Sequence, residues 1–420
     1  MTDQSRKEAQ GAYDPHLQVR ATELPERVWD VIVAGTGPSG ATCARLLAER
    51  GHAVLALDKE RFPRHKVCGD LLVPDALGML RRIGLYERIA DIAHHSGAIE
   101  VSSPSGYRFD AVGEYLTLSR KRLDYEILRY ATEAGVCASS GNVTAVEPSE
   151  GNGPGMVRLS DSPRPLQGRM LVLATGGVVD VARRIGLVAR SEPSAVAVRC
   201  YVRSPKRREN TIISYDRSIL PGYGWVIPLG TDAQGGYRYN VGCGTSYRHI
   251  KNGKHNLKKT LHRFIESFGP AREIMEGAEV ISPVAGAALR CGIEREGKIG
   301  VGNVLGIGET IGTTYPFTGE GIGKGMETGA LAAEVIDEML RSGRIHAPGP
   351  FREALEALRP RYEGYEIAER WLANPMLNDF VSRRIARSRY LQDKVRRFMA
   401  ETDNPRTLFS WKSLLMSFLR

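Results

Sequence analysis

The chain has 420 residues, enough to bury a full core and to divide into two or three domains. With 42% hydrophobic residues, 25% charged residues and 46 glycines, its composition is that of a folded chain with many tight turns, which excludes disorder along most of its length. A net charge of +10 suits nucleic acid, anionic lipid or an acidic protein, but without zinc-type Cys/His spacing or an arginine-rich arm no nucleic-acid partner is expected. Six scattered cysteines read as reduced thiols of a cytoplasmic protein, and no metal-ligand spacing is expected among them. The polar N-terminus lacks the apolar core of a signal segment, and no stretch approaches the roughly 18 apolar residues of a membrane span.

Taken in chain order, residues 1–27 are expected to form a loose leader. Residues 28–34 read as a mostly apolar strand, followed by a glycine turn, a helix over 38–50 and a second strand over 53–57. A helix is expected over 74–83 and a hairpin over 99–101 and 107–109. A further helix is expected over 123–134, with Leu123, Ile127, Leu128 and Ala131 on one face. His94 and His95 are expected in a loop. From 192 to 245 the runs AVAVRCYV, TIISY, YGWVIPL and YRYNVGCG predict an antiparallel sheet inserted between two halves of the first unit. Then come a helix over 257–268, a buried strand over 299–307, a long helix over 319–340 and a helical remainder.

Gly35-Thr36-Gly37-Pro38-Ser39-Gly40 matches G-x-G-x-x-G directly after a strand and at the start of a helix. In a dinucleotide-binding βαβ unit the first glycine permits the tight turn, the second lets a pyrophosphate approach the backbone, and the third lets helix and strand pack closely. Pro38 and Ser39 open that helix, whose free N–H groups and positive dipole end suit phosphates. Asp58 stands 18 residues after Gly40, at the end of the second strand, where a carboxylate accepts bonds from an adenosine ribose.

Arg61-Phe-Pro-Arg-His-Lys-Val-Cys-Gly-Asp70 resembles the PRxKxCG segment of the geranylgeranyl reductase family of flavoproteins, relatives of p-hydroxybenzoate hydroxylase and the flavin-dependent halogenases. Three further stretches are similar to the same family. Arg120-Lys-Arg-Leu-Asp124 resembles its RxxFD helix start. Tyr223-Gly-Trp225-Val-Ile-Pro228 resembles its YxWxFP substrate-side motif, with Ile227 for Phe and Pro221 one residue nearer the tyrosine than usual. Gly306-Ile-Gly-Glu-Thr310 through Pro316-Phe-Thr-Gly-Glu-Gly-Ile322 resembles its second flavin motif. The resemblance runs from about Val28 to Leu340.

This resemblance implies an α/β fold joined to an antiparallel sheet. A Rossmann-like FAD-binding domain would span 28–190 and 280–340, a β-rich substrate domain 191–279, and a helical C-terminal region 341–420. It implies non-covalently held FAD, contacted by Gly35, Gly37, Pro38, Ser39, Gly40, Asp58, Lys59, Lys66, Cys68, Gly69, Arg120, Thr175, Gly176, Gly308, Glu309, Pro316, Gly319, Gly321 and Ile322. Cys68, Tyr223 and Trp225 are the residues it implies at the reacting end, although isolated cysteines are usually inert and paired aromatics usually core. Two departures stand out. Thr175 replaces the Asp of an A-D-G motif, which puts direct NAD(P)H reduction in doubt and points to an external donor: reduced flavin, ferredoxin or an NAD(P)H-linked reductase. Glu309 replaces the Asp of G-D-A, keeping the charge with one more methylene.

The implied reaction is reduction of a C=C bond in an isoprenoid or other apolar substrate by hydride from reduced flavin. Hydroxylation or epoxidation, halogenation and dehydrogenation are alternatives on the same scaffold, and a non-catalytic flavin-binding membrane-surface protein is another. The C-terminal stretch carries Arg383, Arg384, Arg387, Arg389, Lys394, Arg396 and Arg397, with Asp393 as their nearby counter-charge. In the tail, Leu408, Trp411, Leu415, Phe418 and Leu419 fall near one helical face. Those features are expected either to hold the protein at an anionic membrane surface or to pack on its body or a second copy.

Overall fold

Apolar runs without polar alternation belong in a parallel sheet covered on both faces. Val28–Ala34 and Val54–Asp58 are such runs, and in the computed structural model they are neighbouring parallel strands, with Val31 opposite Val54 and Ala34 opposite Leu57. The structure describes residues 13–419 except 150, 152, 233, 252–255, 346 and 347. Among these residues the first sheet has nine strands, and along its main path they run Val19–Arg20, Cys137–Ser140, Val54–Asp58, Val28–Ala34, Leu166–Leu173, Val304–Gly306 and Gly300–Val301. Helices Pro38–Ala48 and Ile322–Ser342 pack on one another, and both contribute to its apolar core.

The second sheet also has nine strands among the described residues. It is built around Ala195–Ser204, Tyr237–Ser246, Tyr223–Thr231 and Thr211–Ser214, all antiparallel to their neighbours in that order, as the alternating runs predicted. Toward its far edge lies the earlier hairpin, His94–Ser102 with Arg108–Thr117, which joins by a parallel pairing of Ile99 to Thr211 and carries the short strand Leu71–Leu72 outside it. The C-terminal helices Gly349–Ala373, Pro375–Arg387, Arg389–Met399, Pro405–Leu408 and Trp411–Leu419 cover this hairpin. Leu372, Val381, Ile385, Leu391, Val395 and Leu408 meet Ile99, Ala111 and Tyr115 in one apolar cluster.

Several local expectations need correction. Residues 13–27 are not a loose leader: Val19–Arg20 pairs with Cys137–Ser140, and the Gln18 side chain bonds the Glu60 carbonyl and the Phe62 N–H. Residues 1–12 lie outside the described residues. His94 and His95 begin a strand, paired with Thr117 and Leu116. The strand expected over 299–307 is a small antiparallel hairpin, because Gly302 adopts φ 56° and Asn303 ties the turn to the Gly168 and Arg169 carbonyls. The helix expected from 319 starts at Ile322, after Gly321.

Candidate functional site

The carboxyl ends of the central parallel strands open into a cavity of about 800 Å³. Such a crevice is where an open α/β sheet places its ligand. Of the glycines in the turn, Gly35 has φ 101°, and a Cβ there would lie 2.2 Å from the Ala174 carbonyl oxygen. A Cβ on Gly40 would lie 1.9 Å from the Gly35 oxygen, so close packing fixes both. Gly37 differs. Its backbone is ordinary (φ −67°, ψ −175°), and the nearest atom to an added Cβ is Arg64 Nη2 at 3.5 Å. No protein atom forbids a side chain at Gly37. Its bareness instead keeps the cavity clear at the mouth of helix Pro38–Ala48, which fits a pyrophosphate lying on the backbone.

Asp58 is turned toward the same loop, where its Oδ2 accepts the Thr36 N–H at 2.9 Å and the Thr36 hydroxyl at 3.1 Å. Arg64 spans two carboxylates, 3.8 Å from Asp58 and 3.1 Å from Asp124. Asp124 in turn holds the buried Arg120 guanidinium through two bonds of 2.6 and 2.7 Å. These charges therefore form one paired group beside the cavity, and a buried cation held this way keeps its geometry. Lys66 lies 3.8 Å from Glu309, whose other oxygen accepts the Arg290 N–H. Thr175 does not stand in for the missing carboxylate: its hydroxyl is turned onto the Val178 carbonyl at 2.5 Å.

A second network joins the substrate-side motif to the Cys68 loop. The Trp225 indole donates to Asn240 at 2.9 Å, and the Asn240 amide donates to the Cys68 carbonyl at 2.7 Å and to Asp70 at 2.9 Å. Asp70 also accepts from the Tyr201 hydroxyl at 2.6 Å and from the Arg120 N–H at 3.1 Å. Trp225 is thus both a cavity wall and a strut. Burial pushes the Cys68 thiol above its ordinary value, against the opposing pull of Arg120, so at neutral pH it is a thiol. Tyr223 donates to the Thr318 carbonyl at 2.5 Å and packs against Trp225, Phe317 and Tyr215.

The cavity thus gathers most of the residues expected from sequence. Gly35, Gly37, Pro38, Ser39, Asp58, Lys59, Lys66, Cys68, Gly69, Arg120, Thr175, Gly176, Tyr223, Trp225, Glu309, Gly319, Gly321 and Ile322 all line it. Gly40, Gly308 and Pro316 stand behind its wall: Gly40 touches Gly35, Gly308 packs on Ser39, and Pro316 is buried. Sequence reasoning left Arg64 without a role, although it is the arginine of the PRxKxCG segment. It also missed the far wall, where Ala368, Leu372, Val381, Ile385, Leu408 and Phe409 of the C-terminal helices enclose an apolar chamber with Ile99, Ala111 and Tyr215.

Glu320 and Asp75 also line the cavity. Burial pushes both carboxyls up, Glu320 to about 8 and Asp75 to about 7, and the cation of Lys324 only partly offsets it.

Residues 28–140 match the model of a family described as an FAD binding domain. Over 338 residues the chain is 30% identical to a menaquinone reductase of Mycolicibacterium smegmatis, covering 73% of this chain and 76% of the relative. Over 328 residues it is 28% identical to digeranylgeranylglycerophospholipid reductase 1 of Methanopyrus kandleri, covering 74% of this chain and 81% of that protein. Among solved structures, a flavin-dependent brominase superposes with a TM-score of 0.71 at 20% identity, covering 94% of this chain and 98% of that one. The fold is therefore shared with halogenases, and FAD is the cofactor that the nucleotide end accepts.

Proposed function

This chain belongs to the geranylgeranyl reductase family of FAD-dependent oxidoreductases, and from that premise we propose that it reduces a carbon–carbon double bond in an apolar, isoprenoid-type substrate. The observation that carries the reading is the apolar chamber continuous with the nucleotide end of the cavity, walled by Ile99, Ala111, Leu372, Val381 and Leu408. The names of two relatives, one a reductase of menaquinone and one of a digeranylgeranylglycerophospholipid, support a lipid-sized apolar substrate. Bound FAD would supply the hydride chemistry. In this reading Gly35, Gly37, Pro38, Ser39 and Asp58 hold the nucleotide half, while Lys66, Thr175, Gly176, Glu309 and Gly319–Ile322 flank the flavin half. Tyr223, Trp225 and Cys68 shape the place where substrate meets flavin, and the chamber excludes water.

The electron donor in this reading is external, of the reduced-flavin, ferredoxin or NAD(P)H-linked reductase class, because Thr175 spends its hydroxyl within its own loop. Anaerobic reduction of the holoprotein, then mixing with polyprenyl olefins, tests the reaction. Flavin reoxidation by the olefin without oxygen is the expected result; a reduced flavin indifferent to every olefin and discharged by oxygen alone would overturn it.

An anionic membrane surface is the proposed source of such a substrate. Among the described residues no helix is long and apolar enough to cross a membrane. The tail helix instead exposes Trp411 (60%), Leu415 (66%) and Phe418 (60%), and the neighbouring helix exposes Met376 (81%) and Phe380. Met376 and Phe380 stand one turn apart, and Arg384, one turn further, lies over the Phe418 ring at 3.7 Å, so the two sets share a face. Arg383, Arg387 and Arg389 are exposed beside it, each worth on the order of 1 kcal/mol at an anionic surface. Leu408, expected on the apolar tail face, and Lys394, expected in the basic cluster, are buried: Leu408 lines the chamber and Lys394 donates to the Thr407 carbonyl. The tail cannot be cut without opening the chamber, so serines at Trp411, Leu415 and Phe418 are the suitable change. They should abolish co-sedimentation with phosphatidylserine vesicles at low salt; unchanged binding would contradict the proposal.

A further inference from the structure

We propose that Glu320 is the acid that hands the substrate its proton, an inference that rests on the reduction reading above. Adding hydrogen across a double bond needs a hydride at one carbon and a proton at the other. A chamber that excludes water needs a group of its own to supply that proton. Glu320 sits in the turn Gly319–Gly321 that leads into helix Ile322–Ser342, and it borders the cavity together with Tyr223 and Phe317. Its carboxyl accepts a hydrogen bond from the Tyr365 hydroxyl at 3.4 Å.

Behind it lies a cluster that no part of the nucleotide site uses. Tyr365 stacks on Tyr315 with ring centres 3.8 Å apart, and Tyr315 donates to Glu401 at 2.9 Å. Glu401 also accepts from Lys324 at 2.8 Å and Arg361 at 3.3 Å, and Lys324 reaches Glu327 at 2.9 Å and Asp75 at 3.9 Å. Four carboxyl groups, those of Asp75, Glu320, Glu327 and Glu401, thus face two cations, Lys324 and Arg361. A buried group of that composition approaches neutrality only by holding protons, and Asp75, whose side chain is 3% exposed, and the half-buried Glu320 are its two carboxyls that border the cavity. Asp75 Oδ2 is buried without a hydrogen-bond partner, as befits a carboxyl waiting on a proton or a ligand at the cavity wall. Glu327 and Glu401 are partly exposed, which gives the cluster an outlet to solvent. The other groups facing Glu320 are the phenols of Tyr115, Tyr215 and Tyr223, none of them charged at neutral pH. Glu369, one turn beyond Tyr365, also borders the cavity; burial and then the charge of Glu366 push its carboxyl up, and the cations of Arg248 and Arg370 oppose that rise.

In the step, the π bond of the olefin breaks. One carbon takes a hydride, with both electrons, from reduced FAD, and the other takes the Glu320 proton. Two C–H bonds form, FAD is left oxidised and Glu320 is left as carboxylate. Tyr365 positions that carboxyl, and the Glu401–Lys324–Glu327 group returns a proton from solvent.

The test is Glu320→Gln in the holoenzyme. General acid catalysis contributes about 10²–10⁴-fold, so single-turnover reoxidation by a polyprenyl olefin should fall by at least about 100-fold with FAD content retained. In the wild type the rate should decline as pH rises through about 8, where the proton is lost, and Glu320→Gln should abolish that limb. A second readout needs no turnover: infrared difference spectra of the protein should show a carboxylic acid C=O band at neutral pH that Glu320→Gln removes. A variant within about threefold of the wild type, or no such band in the wild type, overturns the assignment to Glu320. A wild type that no olefin reoxidises overturns the reduction reading instead.

Discussion

The two ends of the cavity are made differently. The nucleotide end is backbone and paired charge, drawn from short motifs in the first third of the chain: the turn 35–40, Asp58, and the Arg64–Asp124–Arg120 group. The chamber end is side-chain surface gathered from segments far apart in sequence, among them Ile99, Ala111, Tyr215, Phe317, Ala368, Leu372 and Phe409. The first end prescribes one ligand because fixed backbone geometry admits little else. The second prescribes only shape and apolarity, which is how one fold serves reductases and halogenases alike.

The largest effect expected from this contrast is at the nucleotide end. Gly37→Val should yield a folded protein without FAD, because an added Cβ meets only Arg64 and the cavity space. Gly40→Val should fail to fold, because its Cβ would strike the Gly35 carbonyl at 1.9 Å. Flavin absorbance and circular dichroism of the two purified variants separate these outcomes; FAD at full occupancy in Gly37→Val would erase the distinction between the ends.

A smaller and opposite effect is expected in the chamber. Ala368→Phe should keep FAD and cost stability only within the roughly 1–3 kcal/mol of an overpacked site, while lowering affinity for long olefins more than for short ones. Chain-length dependence of reoxidation, with FAD content measured alongside, checks it. Loss of FAD would mean that the two ends are not separable.

The smallest effect is expected at their junction. Tyr223→Phe removes the bond to the Thr318 carbonyl, worth about 1 kcal/mol, and should change turnover or product pattern with FAD content intact. Thermal denaturation followed by flavin fluorescence measures both; a variant that unfolds and sheds FAD would make Tyr223 a core residue.

The same contrast explains what was legible in the sequence. The glycine turn, Asp58 and the flavin motif were legible because each needs a particular residue at a fixed spacing. The chamber was not, since periodicity reports which residues share a helical face and not what that face meets. Leu408 shows this: Pro405–Leu408 and Trp411–Leu419 are separate helices, so Leu408 turns inward while Trp411, Leu415 and Phe418 stay outside. Arg64 and Glu320 stood inside quoted motifs, yet only folding showed their neighbours: Asp58 and Asp124 for the arginine, Tyr365 and the Lys324 cluster for the glutamate.

The most direct test of the account is the mass of the product after one anaerobic turnover. Holoprotein reduced chemically and mixed with a polyprenyl lipid in heavy water should give a product that has gained two deuterium atoms and no oxygen, because the N5 hydrogen of reduced flavin and the acid proton of the chain both exchange with solvent. A product unchanged without oxygen, and heavier by an oxygen atom once air is admitted, would contradict it.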